Sequence, residues 1–586
     1  MELINGNDLY QMFNYGAYEV VQERIELNNI NVFPVADGDT GDNLTQTLRR
    51  IVKESEQSDS FHQALREISE SALIGARGNS GVIFAQFVNG LQANDFDKDQ
   101  ITIEEFADLV QKSYSHTVAS LSNPVEGTMI TILREWGDIL KRLSQTTKKV
   151  RDVFIASFEH IQKVLQNTPK MLNVLSLNKV IDSGAYGFVL FVKGIVSYYN
   201  NDPLKSETHE KIEITSSHNH DTDVTYRYCT EGLVKYDTLD KSKLEKELSS
   251  LGDSLIIAQG KERFRVHIHT NTPELLFNKL KDYGVIENQK IDDMVLEIQL
   301  NNTKKKRVLI TDSIADLDKK YIEENNIVVI PVNISMNQME YLDKLSISNE
   351  IIFNQLDTLK EYPKTATPSI KYINDLFSKL LLKFEELIVV TVSHHLSGTH
   401  QIIKNEAEKL VKKGKKVFVV DSLNNSASQG LLVQKAVELI HQELPTENIV
   451  EQLESYREKT QILVCLSTFK YAMMGGRVPK IIGKVAMFFG IRPIMSLEKG
   501  KGTAYGMSLS QKGITRRIKK LVQKDLDTVG IESYAIVHCM NKKLAEEYTE
   551  LFTGMIGFAP ASVSEISSAT AINSGVGSVA VGYIKK

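Results

Sequence analysis

A chain of 586 residues with 42% apolar and 24% charged residues has material for several globular cores, and its formal net charge of −5 lacks the basic surplus of a general nucleic-acid binder. Three cysteines, far apart and in unlike contexts, argue against a disulfide framework and for a reducing compartment. The start MELINGNDLYQMF has no basic n-region followed by an apolar h-region, and no later run reaches the roughly 18 apolar residues of a spanning helix, so the expected location is the cytoplasm.

Residues 1–200 read as helical: segments such as FHQALREISESALIGA and RDVFIASFEHIQKVLQ repeat apolar residues every three or four positions. Residues 201–223 are polar and read as a linker, its His218-Asn219-His220 run as a solvated stretch. Residues 224–300 carry short alternating runs around one helical segment, PELLFNKLKDYG, which predicts a small α/β middle domain. From residue 301 to 586, strand-like runs (RVLITDS, IVVIPV, LIVVTVS, KVFVVDS, ILVCLST) alternate with amphipathic helices, predicting an α/β region with a largely parallel sheet. The fold class is thus multidomain, all-α followed by two α/β parts.

In NVFPVADGDTGDNL, Asp37 and Asp39 flank Gly38 just ahead of a helical run. Two carboxylates about 5 Å apart at an effective dielectric near 20 repel by roughly 3 kcal/mol, which a hard cation such as Mg²⁺ relieves. The same residue types also serve as an ordinary capping turn. The company of this loop shifts the balance: ALIGARGNSGVIFAQF, NPVEGTMIT and KVIDSGAYG lie in the same helical region, and the turn Gly78–Gly81 opens a helix whose N-terminus suits phosphate. No GxxxxGK[ST] occurs, so a P-loop is excluded.

These four segments, in this order, resemble the nucleotide-binding domain of the dihydroxyacetone kinase family, in the variant found in bacterial fatty acid kinase. The resemblance implies a barrel of amphipathic helices with Mg-ATP at one end. It places Asp37 and Asp39 on Mg²⁺, and Thr40, Asn43, Gly78, Asn79, Ser80, Thr128 and Met129 around the nucleotide, with Asp182 and Gly184 in a closing loop. Where dihydroxyacetone kinases have a third aspartate this chain has Val32, and Asn31 is the neighbour that would stand in.

FRVHIHTN sets His267 and His269 on one face of a strand with Arg265, while Phe264, Val266 and Ile268 face the other way. Cys229 in YRYCTEG would make an N₂S donor set compatible with Zn²⁺, and a wet strand face is the competing reading. The middle domain of fatty acid kinase carries a similar CTE followed by H-x-H-T-N, which implies a zinc-type site at Cys229, His267 and His269.

Small polar residues follow strands in TDSIADL and VTVSHHLSGTH, and PKTATPS is a hydroxyl-rich loop, positions at which open α/β sheets bind ligands and at which helices are also routinely capped. With FKYAMMGGRVPK and GIRPIMSLEKG they resemble the DegV family, which binds a fatty acid in an apolar tunnel. The resemblance implies carboxylate contacts from Thr365, Ser393, Ser397 and Thr399, with Arg477 supplying positive charge. Two departures stand out: Asn573 replaces the usual His before the terminal glycine turn, and His394 replaces the second serine of a Ser-Ser pair.

The fusion implies an enzyme that phosphorylates a fatty acid carboxylate with Mg-ATP, Asp37, Asp39 and Arg477 neutralising charge, to give an acyl phosphate for an acyltransferase of phospholipid synthesis. The expected assembly is a homodimer with transient membrane-surface contact. Two alternatives remain open at this point: a fatty-acid-binding or sensing protein with a regulatory nucleotide domain, and a kinase of the dihydroxyacetone type.

Overall fold

The structure, a computed structural model, describes residues 2–93, 97–204, 224–337, 339–356, 359, 361–476, 478 and 480–586. Most of the expected linker and the His218–His220 run therefore lie outside the described residues, as does Arg477. The chain divides into two compact units, Met1–Asn302 and Thr303–Lys586.

In the first unit eight long helices follow one another: Gly6–Gln22, Thr40–Glu54, Phe61–Gly75, Gly78–Gln92, Ile103–Ala119, Met129–Thr146, Val150–Leu165 and Ser183–Asn200. Each packs on the next and the last packs back on the first, which closes them into a ring. Local signals set their starts. Thr102 and Glu105 form a reciprocal capping box, and Ser60 and Asp182 each accept a first-turn N–H. The ring is filled by buried aromatics that meet edge to face, Trp136 on Phe188 at 5.4 Å and Phe87 on Phe188 at 5.4 Å. Such pairs contribute about 0.5–1.5 kcal/mol each beyond the burial of their area. Ring closure needs a close approach: a Cβ on Gly194 would stand 2.3 Å from the Tyr15 carbonyl oxygen. Two short strands, Leu3–Asn5 and Gln100–Thr102, pair antiparallel beside the ring.

The same unit carries a four-stranded antiparallel sheet in the order Gly252–Gln259, Arg263–Thr270, Tyr228–Lys235, Val285–Asp293. Strand alternation divides its faces. Phe264, Val266 and Ile268 are buried with Leu276, Phe277 and Leu280 of the helix Pro273–Leu280, whereas Ile256 and Ala258 join the core of the helical ring. Arg265 and Leu233 are register partners, as are His267 with Glu231 and His269 with Cys229. These polar residues share the sheet face turned to the ring, where Arg265 donates to the carbonyls of Leu73 and Ile74. The helix Met294–Asn302 ends the unit.

The second unit contains a parallel sheet in the order Lys416–Asp421, Glu386–Thr391, Arg307–Asp312, Val328–Ile330. Beside it stands a six-stranded sheet, Lys501–Ser508, Arg492–Glu498, Thr460–Cys465, Val579–Lys585, Ile531–His538, Val563–Glu565, antiparallel except for its last pair. Both sheets read as apolar runs because the helix Ser426–His441 packs against strands of both, while Gln511–Thr528 and Lys542–Ile556 cover the outer face of the second. A three-stranded antiparallel ribbon, Met339–Leu342, Asn333–Met336 and Lys364–Ala366, completes the unit. No helix among the described residues is long and apolar enough to cross a membrane.

Candidate functional site

The four motif segments of the first unit meet at one end of the helical ring. The loop before the helix Thr40–Glu54 is braced by Asn31, whose Oδ1 accepts from the Thr40 N–H at 3.1 Å and from the Thr40 hydroxyl, and whose Nδ2 donates to Val35 O at 2.7 Å. Asn31 therefore shapes the loop; the third carboxylate beside Asp37 and Asp39 comes from Glu297, on the helix Met294–Asn302. One oxygen from each of the three lies within 4.8 Å of the others. Asn301 of the same helix donates to Asp37 O at 2.6 Å. No local sequence signal marks Glu297, because it reaches the loop only through packing of the middle sheet on the ring.

The turn Gly78–Gly81 touches the helix behind the Asp37–Asp39 loop. A Cβ on Gly78, which has φ +57°, would sit 2.0 Å from Asn43 Nδ2, and one on Gly81 would sit 2.4 Å from the Thr47 hydroxyl. The Gly78 N–H donates to Glu231 Oε1 at 2.5 Å, so the open first-turn donors expected of this turn reduce to those of Asn79 and Ser80. On the other side Gly184 lies among Asp182, Ser80 and Met129: a Cβ there would meet Asp182 Oδ1 and Ser80 Oγ at 3.4 Å and Met129 Cε at 3.5 Å. Thr128 caps the helix Met129–Thr146. Asp182 accepts from the N–H groups of Ala185 and Met129, yet burial pushes its carboxyl up to about 7.

The middle sheet presents Cys229, His267 and His269, all buried, with one ligand-capable atom of each within 4.8 Å of the others. The wet strand face considered from the sequence is thus excluded. His267 Nδ1 lies 3.7 Å from Glu231 Oε1, and its buried Nε2 has no hydrogen-bond partner. Burial lowers the His267 pKa and raises that of the Cys229 thiol well above its ordinary value. A neutral imidazole with an unsatisfied nitrogen beside a thiol suits a zinc-type cation, which would satisfy that nitrogen and favour the thiolate. Glu231 is the anchor of the face. Burial opposes its charge, but Lys290, His267, Arg265 and Arg77 outweigh burial and hold the carboxyl far below the usual range.

In the second unit Ser393 is fully buried after the strand Glu386–Thr391, and its hydroxyl donates to Gly500 O at 3.0 Å. Ser397 and Thr399 share a hydroxyl contact at 2.9 Å at the start of the helix Thr399–Val411. Thr365 is exposed in the ribbon. His394 pairs through Nδ1 with Asp421, so an oriented imidazole stands next to Ser393. Asn573 donates back to Ala569 O at 3.2 Å within its own helix. A cavity of about 30 Å³ lies where the helix Ser426–His441 meets the second sheet, between Ile462, Val464, Val537 and Ile566 and the hydroxyls of Ser426 and Thr570.

Three buried carboxylates, two of them in the loop that resembles a ligand site, instead pin the unit together. Asp312 accepts from Val392 N at 2.7 Å and Gln429 Nε2 at 3.0 Å; Asp316 accepts from Ser567 N and Ser426 Oγ at 2.6 Å; Asp343 accepts from Ser313 Oγ at 2.6 Å and Ser568 N at 2.8 Å. Burial pushes Asp312 and Asp343 up from 3.8 to about 6. A carboxyl raised on folding contributes stability that is fully present below the unfolded pKa and is lost as pH rises through the folded value. The second unit should accordingly lose stability between pH 4 and 6. Asp343→Asn should flatten that slope, on the order of 2 kcal/mol at pH 8 relative to pH 4, in denaturant melts across pH. An unchanged slope would rule out Asp343 as its source.

Comparison with known proteins matches three stretches of the chain. Residues 34–197 match the DAK2 domain, 225–300 a middle domain of the fatty acid kinase-like type, and 306–586 the DegV family of uncharacterised proteins. Relatives include the uncharacterized protein MG369 of Mycoplasma genitalium, 32% identical over 53% of this chain and 60% of its own length. Protein YloV of Bacillus subtilis is 29% identical over 50% of this chain and 56% of its own. The chain thus spans little more than half the length of the curated relatives it matches. Among solved structures, a fatty-acid-binding DegV family protein from Thermus thermophilus is 21% identical, with a TM-score of 0.45 over 48% of this chain and 100% of that one. A stearic-acid-binding protein from Eubacterium ventriosum is 22% identical, with a TM-score of 0.44 over 47% and 98%.

Proposed function

For a chain that fuses a fatty acid kinase-like region to a DegV domain, we propose that the first unit binds Mg-ATP and phosphorylates the carboxylate of a fatty acid held by the second, giving acyl phosphate and ADP. The observation that carries this reading is the meeting of four separate motif segments beside the three carboxylates of Asp37, Asp39 and Glu297. Those carboxylates would hold Mg²⁺, which neutralises phosphate charge when bound. The N–H groups of Asn79 and Ser80 at the start of their helix would receive phosphate oxygens, and Asp182 braces the loop opposite. A carboxylate oxygen then forms the new bond to the γ-phosphorus while the bond from that phosphorus to the β-bridging oxygen breaks, its electrons leaving with ADP. The acceptor is ionised at neutral pH, so no general base is needed, and alignment with charge neutralisation suffices.

Fatty acid binding by the second unit is supported by its DegV match over residues 306–586. His394, oriented by Asp421, offers an imidazole next to Ser393, whereas the Asn573 amide is turned back on Ala569 O of its own helix. The helix Lys480–Phe488 exposes Ile481, Val485 and Phe488, a surface suited to the transient membrane contact expected of a lipid carrier. Cys229, His267 and His269 would hold a zinc-type ion. The product is an activated acyl group, consumed by an acyltransferase.

A second reading, a lipid binder with a regulatory nucleotide domain, is favoured by the internal engagement of Ser393 and Asn573. One measurement separates the readings. The purified chain, freed of lipid, should release ADP from Mg-ATP at least tenfold faster with a long-chain fatty acid than without it, and no faster with dihydroxyacetone. Lipid binding without fatty-acid-dependent ADP release would leave the binding module. Stimulation by dihydroxyacetone alone would identify the other kinase.

A further inference from the structure

The middle sheet reaches the nucleotide end of the helical ring through one buried side chain. Glu231 lies on the central strand Tyr228–Lys235, is 1% exposed, and directs Oε1 at the N–H of Gly78, the first residue of the helix Gly78–Gln92. Its other oxygen takes Arg265 Nη1 at 3.1 Å. Arg265, also 1% exposed, bonds through Nε to Leu73 O at 2.9 Å and through Nη2 to Ile74 O at 2.7 Å, the last turn of the preceding helix. The segment from Leu73 to Gly78, which links two helices of the ring, is therefore gripped at both ends by one buried ion pair from another domain.

This grip is directional. The first N–H groups of a helix have no acceptor within it, and Glu231 takes the foremost, leaving those of Asn79 and Ser80 for a ligand. Gly78 has φ +57°, a conformation costly for other residues, and has no room for a Cβ beside Asn43. The turn is thus held where chain preference alone would not hold it. A second acidic residue of the same domain, Glu297, meets Asp37 and Asp39. The middle domain touches both the phosphate turn and the carboxylate loop.

We propose that Glu231 is a positioning residue for the nucleotide, through which the middle domain sets the Gly78–Ser80 turn so that the Asn79 and Ser80 N–H groups receive phosphate. The inference rests on the nucleotide-binding reading above and assigns to the middle domain a part in that site. Glu231 need not touch the ligand; it acts through the backbone of Gly78. A carboxylate on the first N–H also keeps a phosphate from settling one residue too early, because like charges cannot share that donor.

The test is calorimetric titration of the full chain with Mg-ADP, alongside melting of Trp136 fluorescence. Glu231→Ala should raise the dissociation constant at least tenfold, whereas Glu231→Gln, which keeps an acceptor oxygen for Gly78, should recover most of the affinity. If Glu231→Ala does not fold, the volume-conserving pair Glu231→Met with Arg265→Met removes the acceptor together with its hydrogen-bonded cation, and it should show the same tenfold loss. Affinity within twofold of the unsubstituted protein in folded Glu231→Ala, or in the double methionine variant, would overturn the proposal. So would equal losses in Glu231→Ala and Glu231→Gln, since the amide keeps the oxygen on which the argument turns. An unsubstituted protein that fails to bind Mg-ADP would overturn the nucleotide reading itself, a result distinct from both.

Discussion

Replacing Asp37 by alanine is expected to lower Mg-dependent ADP release by about 10²–10³-fold, the scale at which loss of one preorganised electrostatic group slows a transfer. The lipid content of the protein should not change, because the substitution falls in the first compact unit and the DegV domain is the second. Stability should move the other way. Asp37, Asp39 and Glu297 hold carboxylate oxygens within 4.8 Å of one another, a spacing that costs about 3 kcal/mol or more per ionised pair at an effective dielectric near 20. Removing one carboxylate relieves part of that repulsion in the metal-free protein. A fluorescence melt in chelator should thus show Asp37→Ala melting at or above the unsubstituted protein, while added Mg²⁺ stabilises only the latter. ADP release equal to that of the unsubstituted protein would remove Asp37 from the metal site. Equal stabilisation of both by Mg²⁺ would do the same by a route independent of turnover.

What can be read from the sequence is local or periodic. The helical periodicity of the first 200 residues becomes a closed ring, and spacing by two on a strand puts His267 and His269 on one face. The motif loops resemble a known family because their chemistry depends on residues adjacent in sequence. What cannot be read depends on which surfaces meet. Glu297 lies in a helix that carries no motif and joins Asp37 and Asp39 only because its domain packs on the ring. Glu231 has a sequence signal, since it stands two residues from Cys229 and so on the same strand face. Its partner, a backbone N–H distant in sequence, has none. For the same reason the turn at Gly78 reads as fully open to phosphate. Asp312 and Asp316 look like ligand-loop or ordinary turn residues, because a buried carboxylate and a capping one have the same neighbours in sequence. The parallel sheet is legible from strand–helix alternation; its antiparallel companion is not, because apolar runs such as SYAIVHC and SVAVGYI specify burial on both faces and leave strand direction open.

Arg265 carries the second large effect, on stability rather than turnover. Its guanidinium is 1% exposed, pairs with Glu231 and satisfies two carbonyls at the end of the helix Phe61–Gly75; burial lowers its pKa to about 10 in spite of the Glu231 carboxylate. Removing one partner of a buried pair costs about 3–5 kcal/mol, the lower end applying here because Lys290 and Arg77 still face Glu231. Arg265→Ala adds the loss of two bonds to buried carbonyls and of the packing of the side-chain stem. The first unit should therefore melt about 10 °C lower, using the few degrees per kcal/mol typical of a domain this large. The readout is specific, because the single tryptophan of the chain, Trp136, is 1% exposed in the core of that unit. Tryptophan emission should shift early in Arg265→Ala while the calorimetric transition of the second unit keeps its midpoint. The double variant Glu231→Met with Arg265→Met should regain most of the loss, because the stranded charge, rather than the absent ion pair, is the main penalty. A Trp136 midpoint within 2 °C of the unsubstituted protein would mean that the pair fixes the geometry of the Gly78 turn without supporting the fold around it.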